Sequence, residues 1–313
     1  MSRKEKITTY SIFIFATFIV ASTLFAAYVY RPKEYSEFHS KFLEQNPTQY
    51  VELENYYTHY FRAGFGEPII LVHGGGSWLY TYQNNINALS EYFEVHALDM
   101  PGHGYTAIFH EPVYDLDTYA DFIYEFMEIH QIEKASFVGH SWGGGWVIYF
   151  ALKYPDKVDK LILIAPSGLD MPDKSEWKYF DCPVLGELIA NFISLSATRN
   201  SLESMVYDSD FVTDQYAEEV FAPLSKFDNR RAQFLSQRSM DWRITDKGIG
   251  ELDNHTLLIF GDIDPYFDLE YANQFERRLV NSILAIIKDS GHLPHEERYK
   301  EVNEIMIEFL LSH

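Results

Sequence analysis

Ala135-Ser136-Phe137-Val138-Gly139-His140-Ser141-Trp142-Gly143 decides the fold. A short apolar run enters G-x-S-x-G, and Gly144-Gly145-Trp146 leads into Val147 to Tyr154, stopped by Pro155. This reads as a buried strand, a sharp turn with Ser141 at its tip, and a helix packed under the strand. That geometry is a nucleophile elbow, in which the serine is held strained with Oγ exposed above a sheet. Gly139 and Gly143 suit it because strand and helix backbones come too close for a Cβ. Five residues alone match many Gly-rich turns. The flanking strand and helix make the pattern specific.

A serine hydroxyl needs a base, and the base needs an orienting acid. In an elbow architecture these follow the nucleophile in the order acid, then histidine. The apolar run His255 to Phe260 enters Gly261-Asp262-Ile263-Asp264-Pro265, and Ser282 to Ile287 enters Lys288-Asp289-Ser290-Gly291-His292. His292 is the expected base and Asp264 the favoured acid, with Asp262 and Asp170 as competitors. His140 reads as steadying the turn, and His73 and His103 as supporting backbone in Gly-rich turns. An oxyanion needs backbone N–H donors aimed at it. The strand Ile69 to Val72 enters His73-Gly74-Gly75-Gly76, so the expected donors are the N–H groups of Gly75 and of Trp142. By itself the His-Gly-Gly-Gly run would equally suit a phosphate or a plain corner. No Gly-Lys-Ser/Thr follows, so it is not a P-loop.

These motifs together resemble the α/β-hydrolase superfamily over roughly residues 50 to 311. The matching pieces are Pro68 to Gly74, Leu98-Asp99-Met100-Pro101-Gly102-His103-Gly104, Val138 to Gly144, Gly261 to Asp264, and Gly291-His292-Leu293-Pro294-His295-Glu296-Glu297. The resemblance implies an α/β class fold, with a mostly parallel eight-stranded sheet, a helical cap and a serine–acid–histidine triad. Within the superfamily the chain is similar to the branch of epoxide hydrolases, haloalkane dehalogenases, proline iminopeptidases and carbon–carbon bond hydrolases. His-Ser-Trp-Gly-Gly is similar to the dehalogenase elbow with Ser141 in place of Asp. An ester on serine suits acyl transfer, not alkyl transfer, which argues against dehalogenation and epoxide opening. The His-Gly-Gly-Pro-Gly and Gly-Gly-Ser-Trp-Gly runs usual in proline iminopeptidases are missing.

From Ile7 to Tyr30 the chain carries no charge over 24 residues. As a helix this spans about 36 Å, enough for a ~30 Å hydrocarbon core. Arg3, Lys4 and Lys6 precede it, which predicts a cytosolic N-terminus (1–6), one membrane helix (7–30) and a catalytic domain on the far side, periplasmic or extracellular. A cleaved signal peptide is the alternative. Its apolar region would be shorter, ending at a small-x-small site. Residues 31–48 read as a juxtamembrane linker, with Tyr35, Phe38, Phe42 and Leu43 at helical spacing, and 49–313 as one hydrolase domain. The ~90 residues between the strand Lys160 to Ala165 and the strand at Thr256 are too many for a connection. They predict a mostly helical, aromatic-rich cap over 169–250, with helical pattern at Leu185 to Ile193.

A formal net charge of −21 argues against nucleic acid as a partner. The single Cys182 excludes an intrachain disulfide and reads as inert. No Cys/His spacing suits zinc, and His292 with His295 sits in a Pro-broken loop. The expected chemistry needs no metal and no cofactor. It is hydrolysis of a small-molecule acyl compound (ester, thioester, lactone or amide with an apolar part) through an acyl-enzyme on Ser141. The alternatives are a carbon–carbon bond hydrolase of dienone-acid type and a non-catalytic hydrolase-fold binding protein.

Overall fold

The computed structural model describes residues 3–29, 40–171, 186 and 193–312. The domain is built on β1 (Gln49–Glu52), β2 (Tyr56–Ala63), β3 (Pro68–Val72), β4 (Glu94–Leu98), β5 (Ala107–Ile108), β6 (Ala135–His140), β7 (Val158–Ile164), β8 (Thr256–Gly261) and β9 (Ser282–Ile287). They form one sheet in the order β1-β2-β4-β3-β6-β7-β8-β9, with β5 on β2. From β4 to β9 every pairing is parallel, and β1, β2 and β5 are antiparallel. Among the described residues the expected eight strands are nine. The two-residue β5 is too short to leave a hydrophobic period in the sequence.

The central strands β3, β6, β7 and β8 are apolar almost throughout, because helices cover both faces. On one face lie α4 (Leu116–Ile129), α5 (Trp142–Lys153) and α10 (Leu269–Arg278). On the other lie α3 (Ile86–Ser90) and α11 (Tyr299–Leu311). Helix α4 shows why these segments form. Asp115 caps it by accepting from Thr118 N, and Tyr119, Phe122, Ile123 and Phe126 recur on one buried stripe. Tyr119 stacks on Trp146 of α5 at 4.0 Å between ring centroids.

Between β7 and β8 the described part of the cap is α6 (Leu195–Met205), α7 (Asp214–Leu224), α8 (Phe227–Ser239) and α9 (Trp242–Gly248). The expected helix at Leu185 to Ile193, Cys182, and the cap aromatics Trp177, Tyr179, Phe180 and Phe192 lie almost wholly outside the described residues. Of the other expected cap aromatics, Tyr216, Phe221 and Phe234 are buried, whereas Tyr207 and Phe227 are half-exposed.

The segment expected as a linker is in part built into the domain. Helix α2 (Lys41–Gln45) is capped by Ser40, and Ser40 Oγ donates to the buried Glu219 carboxylate of α7 at 2.6 Å. Phe42 N donates to the same carboxylate at 3.2 Å, and Phe42 packs edge-on against Trp78 and Tyr80. Trp78 Nε1 in turn donates to Glu219 O at 2.9 Å. The chain entering the domain is thus clamped to the cap and to the loop after β3.

Arg3–Val29 forms one helix, α1. Tyr10, Phe13 and Phe18 on it are each about two-thirds exposed. Among the described residues no helix is long and apolar enough to cross a membrane. The described side chains of α1 run unbroken from Thr8 to Leu24, about 25 Å of rise. Tyr30 and the side chains of Ile7 and 25–29, which belong to the expected 7–30 span, lie outside the description.

Candidate active site

Strand β6 ends at His140, and Ser141 follows with φ 51° and ψ −121° before α5 begins at Trp142. A non-glycine residue pays for that conformation, so its surroundings must enforce it. Ser141 N donates to Ile164 O at 3.0 Å, and Ser141 O accepts from Ser167 N at 2.8 Å and from Gly144 N at 3.0 Å. Strand β7 and the turn after it hold the elbow from the side. Gly139 behaves as expected: a Cβ there would sit 2.7 Å from Gly143 O and Gly144 Cα. Gly143 clears something else. Its Cβ would meet Val72 O and His73 O at 2.3 Å, so this glycine makes room for the end of β3, not for β6.

That close approach seats the turn after β3 against the elbow. A Cβ on Gly74 would lie 3.0 Å from Ser141 Cβ, and one on Gly75 would enter the Trp142 ring at 2.3 Å. Gly75 and the first turn of α5 therefore flank Ser141 together, and a helix N-terminus favours negative charge. His73 and His103 serve this turn. His73 Nδ1–H donates to Gly74 O at 2.8 Å while its Nε2 accepts from Met100 N at 3.1 Å. His103 Nδ1–H donates to Pro101 O, and burial pushes its pKa down to about 3.

The loops bearing Asp264 and His292 meet because Gly261 lets them. A Cβ on Gly261 would fall 2.1 Å from Gly291 O. His292 Nδ1 lies 2.8 Å from Asp264 Oδ2, with Asp264 buried. Asp264 Oδ1 accepts from Tyr266 N at 2.7 Å and Phe267 N at 3.1 Å, and these two rings pack on His292. Asp262 instead accepts from Ser290 N, and Asp170 is exposed, lying near Arg243. His140 Nε2–H donates to His292 O at 3.0 Å, tying the elbow to the base loop. Burial first, then neighbouring His295 and His292, hold His140 neutral, with its pKa well below the ordinary value.

Three features of this neighbourhood carry no warning in the sequence. Met205 O, at the end of α6, accepts from His292 N at 2.7 Å, so the cap backbone helps to place the base loop. Glu297 accepts from Gly291 N at 2.8 Å and from Tyr207 N at 2.6 Å. Glu296 is fully enclosed, accepting from Thr81 Oγ1 and from Tyr216 OH, and burial pushes its pKa up to about 8. The Glu-Glu pair stands in the quoted run after His292, but two charged residues read as solvated. His295 is buried, with Nε2 2.9 Å from Thr81 Oγ1, and burial pushes its pKa down to about 3. Among the described residues no group of three or more His, Cys, Asp or Glu side chains could hold a metal ion.

Comparison with known proteins agrees with this architecture. A family model described as alpha/beta hydrolase fold matches residues 67–186. A 2-hydroxy-6-oxo-6-phenylhexa-2,4-dienoate hydrolase of Comamonas testosteroni is 26% identical over 267 residues, covering 83% of this chain and 93% of the relative. A 2-hydroxy-6-oxononadienedioate/2-hydroxy-6-oxononatrienedioate hydrolase of the same organism is 27% identical over 270 residues, with the same coverage. Among solved structures, a variant of the meta-cleavage product hydrolase CumD of Pseudomonas fluorescens IP01 superposes with a TM-score of 0.72 at 28% identity, covering 84% of this chain and 97% of that one. With a mostly parallel sheet, a strained serine between strand and helix and a cap inserted after β7, the chain has the α/β-hydrolase fold and is similar to hydrolases that share it.

Proposed function

We propose that the protein is a serine hydrolase that cleaves a carbon–carbon bond of a small conjugated oxo-acid. The observation that carries it is the His292–Asp264 pair, 2.8 Å apart, on loops locked beside the strained Ser141. The bond type is favoured by the similar hydrolases, whose names specify 2-hydroxy-6-oxo-dienoate substrates. In this reading His292 takes the Ser141 proton, and Asp264 fixes its tautomer and stabilises the cation. Ser141 Oγ attacks the ketone carbon, and the N–H groups of Gly75 and Trp142 hold the oxyanion, each worth roughly 10²–10³ in rate. The carbon–carbon bond then breaks. Its electron pair goes to the leaving carbon, where a conjugated dienone acid delocalises it, and His292 returns the proton. Water, activated by the same histidine, hydrolyses the acyl ester on Ser141.

A second reading keeps the acyl-enzyme and changes the leaving group to oxygen, sulfur or nitrogen, in an ester, thioester, lactone or amide. It rests on the same strained Ser141, since an ester on serine suits acyl transfer whatever the leaving group. The test is kcat/KM on 2-hydroxy-6-oxo-6-phenylhexa-2,4-dienoate against p-nitrophenyl esters of increasing chain length. At least tenfold preference for the dienoate is expected, and the reverse preference would replace the first reading with the second. Ser141→Ala should lose on the order of 10⁴-fold or more, because the triad acts as a unit. Failure of a fluorophosphonate to label Ser141 would leave only a non-catalytic binding role. We further propose that the uncharged run Ile7 to Tyr30 anchors the protein in a membrane, N-terminus in the cytosol. That reading rests on Arg3, Lys4 and Lys6 ahead of the run and on the exposed apolar side chains of α1.

A further inference from the structure

We propose that residues 40–46 act as a clasp, which closes on Glu219 and so holds cap helix α7 and the loop after the Gly74–Gly76 turn in the arrangement that Ser141 needs. Glu219 is then a positioning residue, remote from the reacting atoms. The proposal deepens the function above and rests on Ser141 being the nucleophile.

Helix α2 is five residues long, too short to persist alone in water, so its form depends on what it docks against. Ser40 Oγ caps it by accepting from Leu43 N at 3.1 Å, and donates to Glu219 Oε2 at 2.6 Å. Phe42 N donates to Glu219 Oε1 at 3.2 Å. Glu219 is only 3% exposed. Each of its carboxylate oxygens therefore faces a donor of the clasp. A buried carboxylate that loses its donors keeps the full cost of desolvation. Opening the clasp strands that charge, and α7 has to shift to bring it to water.

The same turn of α7 reaches the loops around Ser141. Glu219 O accepts from Trp78 Nε1 at 2.9 Å, and Trp78 is fully buried two residues after Gly76. Trp78 stacks on Tyr80 at 5.5 Å, and the Phe42 ring stands edge-on to both, at 5.7 and 5.3 Å. Ser77 N closes the turn on Gly74 O at 3.3 Å, and Leu79 N is held by Asp99 Oδ1 at 2.8 Å. Trp78 sits between these two fixed points, so its anchor on α7 bears directly on the turn. Three residues before Glu219, Tyr216 OH donates at 3.0 Å to Glu296 Oε2, in the run after His292. A displacement of α7 would therefore pull on the turn bearing Gly75 and on the loop bearing His292 together. A strap that only added stability would need no more than the burial of Phe42. The paired bonds to a cap carboxylate tie it to the one helix that also holds both of these loops.

The test uses the full chain in detergent. The rate of Ser141 labelling by a neutral fluorophosphonate is measured well below the melting temperature, with hydrogen–deuterium exchange on the same samples. Ser40→Ala combined with Phe42→Ala, and separately Glu219→Ala, should slow labelling by about fivefold or more, because small misplacements near a reacting group are costly. Ser40→Thr, which keeps the hydroxyl, should label within about twofold of wild type. All three alanine changes together should be no slower than Glu219→Ala alone, because they open one clasp. Val158→Ala, a buried change at the end of β7 away from Ser141, should lower the melting temperature without slowing labelling. Exchange should quicken over 77–82, 214–224 and 290–297 in the clasp variants. Labelling that is unchanged in those variants, losses that simply add, or equal slowing by Val158→Ala would overturn the positioning role. Exchange that quickens over 40–48 alone would overturn it too. Absence of labelling in the wild type would defeat the serine-hydrolase reading instead, and the exchange pattern would then decide the clasp by itself. Should Glu219→Ala not fold, Glu219→Gln, which keeps one acceptor oxygen, takes its place in the same comparison.

Discussion

Glu296 offers a sharp test of the packing around the base. It is fully enclosed, four residues after His292, with Thr81 Oγ1 and Tyr216 OH as donors. Thr81 belongs to the loop after β3 and Tyr216 to cap helix α7, so this carboxyl joins the base loop, the core and the cap. Burial raises its pKa from 4.5 to about 8, against the opposing effect of the two hydroxyls. A folded pKa above the unfolded one means that the folded state keeps the proton longer. The group's contribution to stability is complete below pH 4.5 and is lost as pH climbs to about 8. The buried histidines run the opposite way: those with lowered values, such as His295 at about 3, add stability as pH rises toward 6.5. Above pH 6.5 they fall silent, and Glu296 is exposed to view. At ~1.4 kcal/mol per unit, the interval from pH 6.5 to 8 costs about 2 kcal/mol, or roughly 4–8 °C in melting temperature for a domain of this size. Glu296→Gln removes the titration and keeps an acceptor for Thr81 or Tyr216. Calorimetry of both proteins across pH 6.5–8 should show the wild type falling and the variant holding nearly level. Parallel curves would mean that Glu296 is ionised in the folded protein and that the enclosure argument is wrong.

Asp264→Asn should reduce kcat/KM by roughly 10⁴, whereas Asp262→Asn and Asp170→Asn should stay within a fewfold of wild type; a crippling Asp170→Asn would move the acid to the loop after β7. Gly143→Ala should cost roughly 1–3 kcal/mol, because its methyl would meet two backbone oxygens at 2.3 Å. It should also slow turnover by about 10², because the turn bearing Gly75 must retreat, and an unchanged labelling rate at Ser141 would refute that coupling. The anchor predicts that the protein stays with membranes through high salt and alkaline wash and that protease added to spheroplasts digests 40–313; release by salt alone, or a protected domain, would contradict the anchor or its orientation.

The strands, the elbow and the meeting of His292 with Asp264 were legible because each is written locally. An apolar run ends in a turn residue, and the chemistry sits in the next two or three positions. Asp264 could be preferred over Asp262, but only the fold shows why: Asp262 is spent on Ser290 N, while Asp264 faces His292. The rest depends on partners far away in the chain. Ser40 and Glu219 meet across 179 positions, so a stretch that reads as a linker is a docked helix. Gly143 answers to Val72 and His73, not to its own strand. Glu296 and Glu297 look like surface charge until Thr81, Tyr216 and Gly291 close around them.

Further distant contacts run from the cap to the surroundings of Ser141 and His292. Met205 O of α6 takes the His292 N–H, and a Cβ on Gly291 would sit 2.1 Å from that same oxygen. Glu219 of α7 holds both α2 and Trp78, just past the Gly74–Gly76 turn, and Gln233 Oε1 of α8 would be 3.6 Å from a Cβ on Gly76. His292 and the Gly74–Gly76 turn therefore take part of their position from the cap. A cap displacement large enough to admit substrate over α6 would break the His292–Met205 bond, so the described state is the one in which base and acid are already aligned.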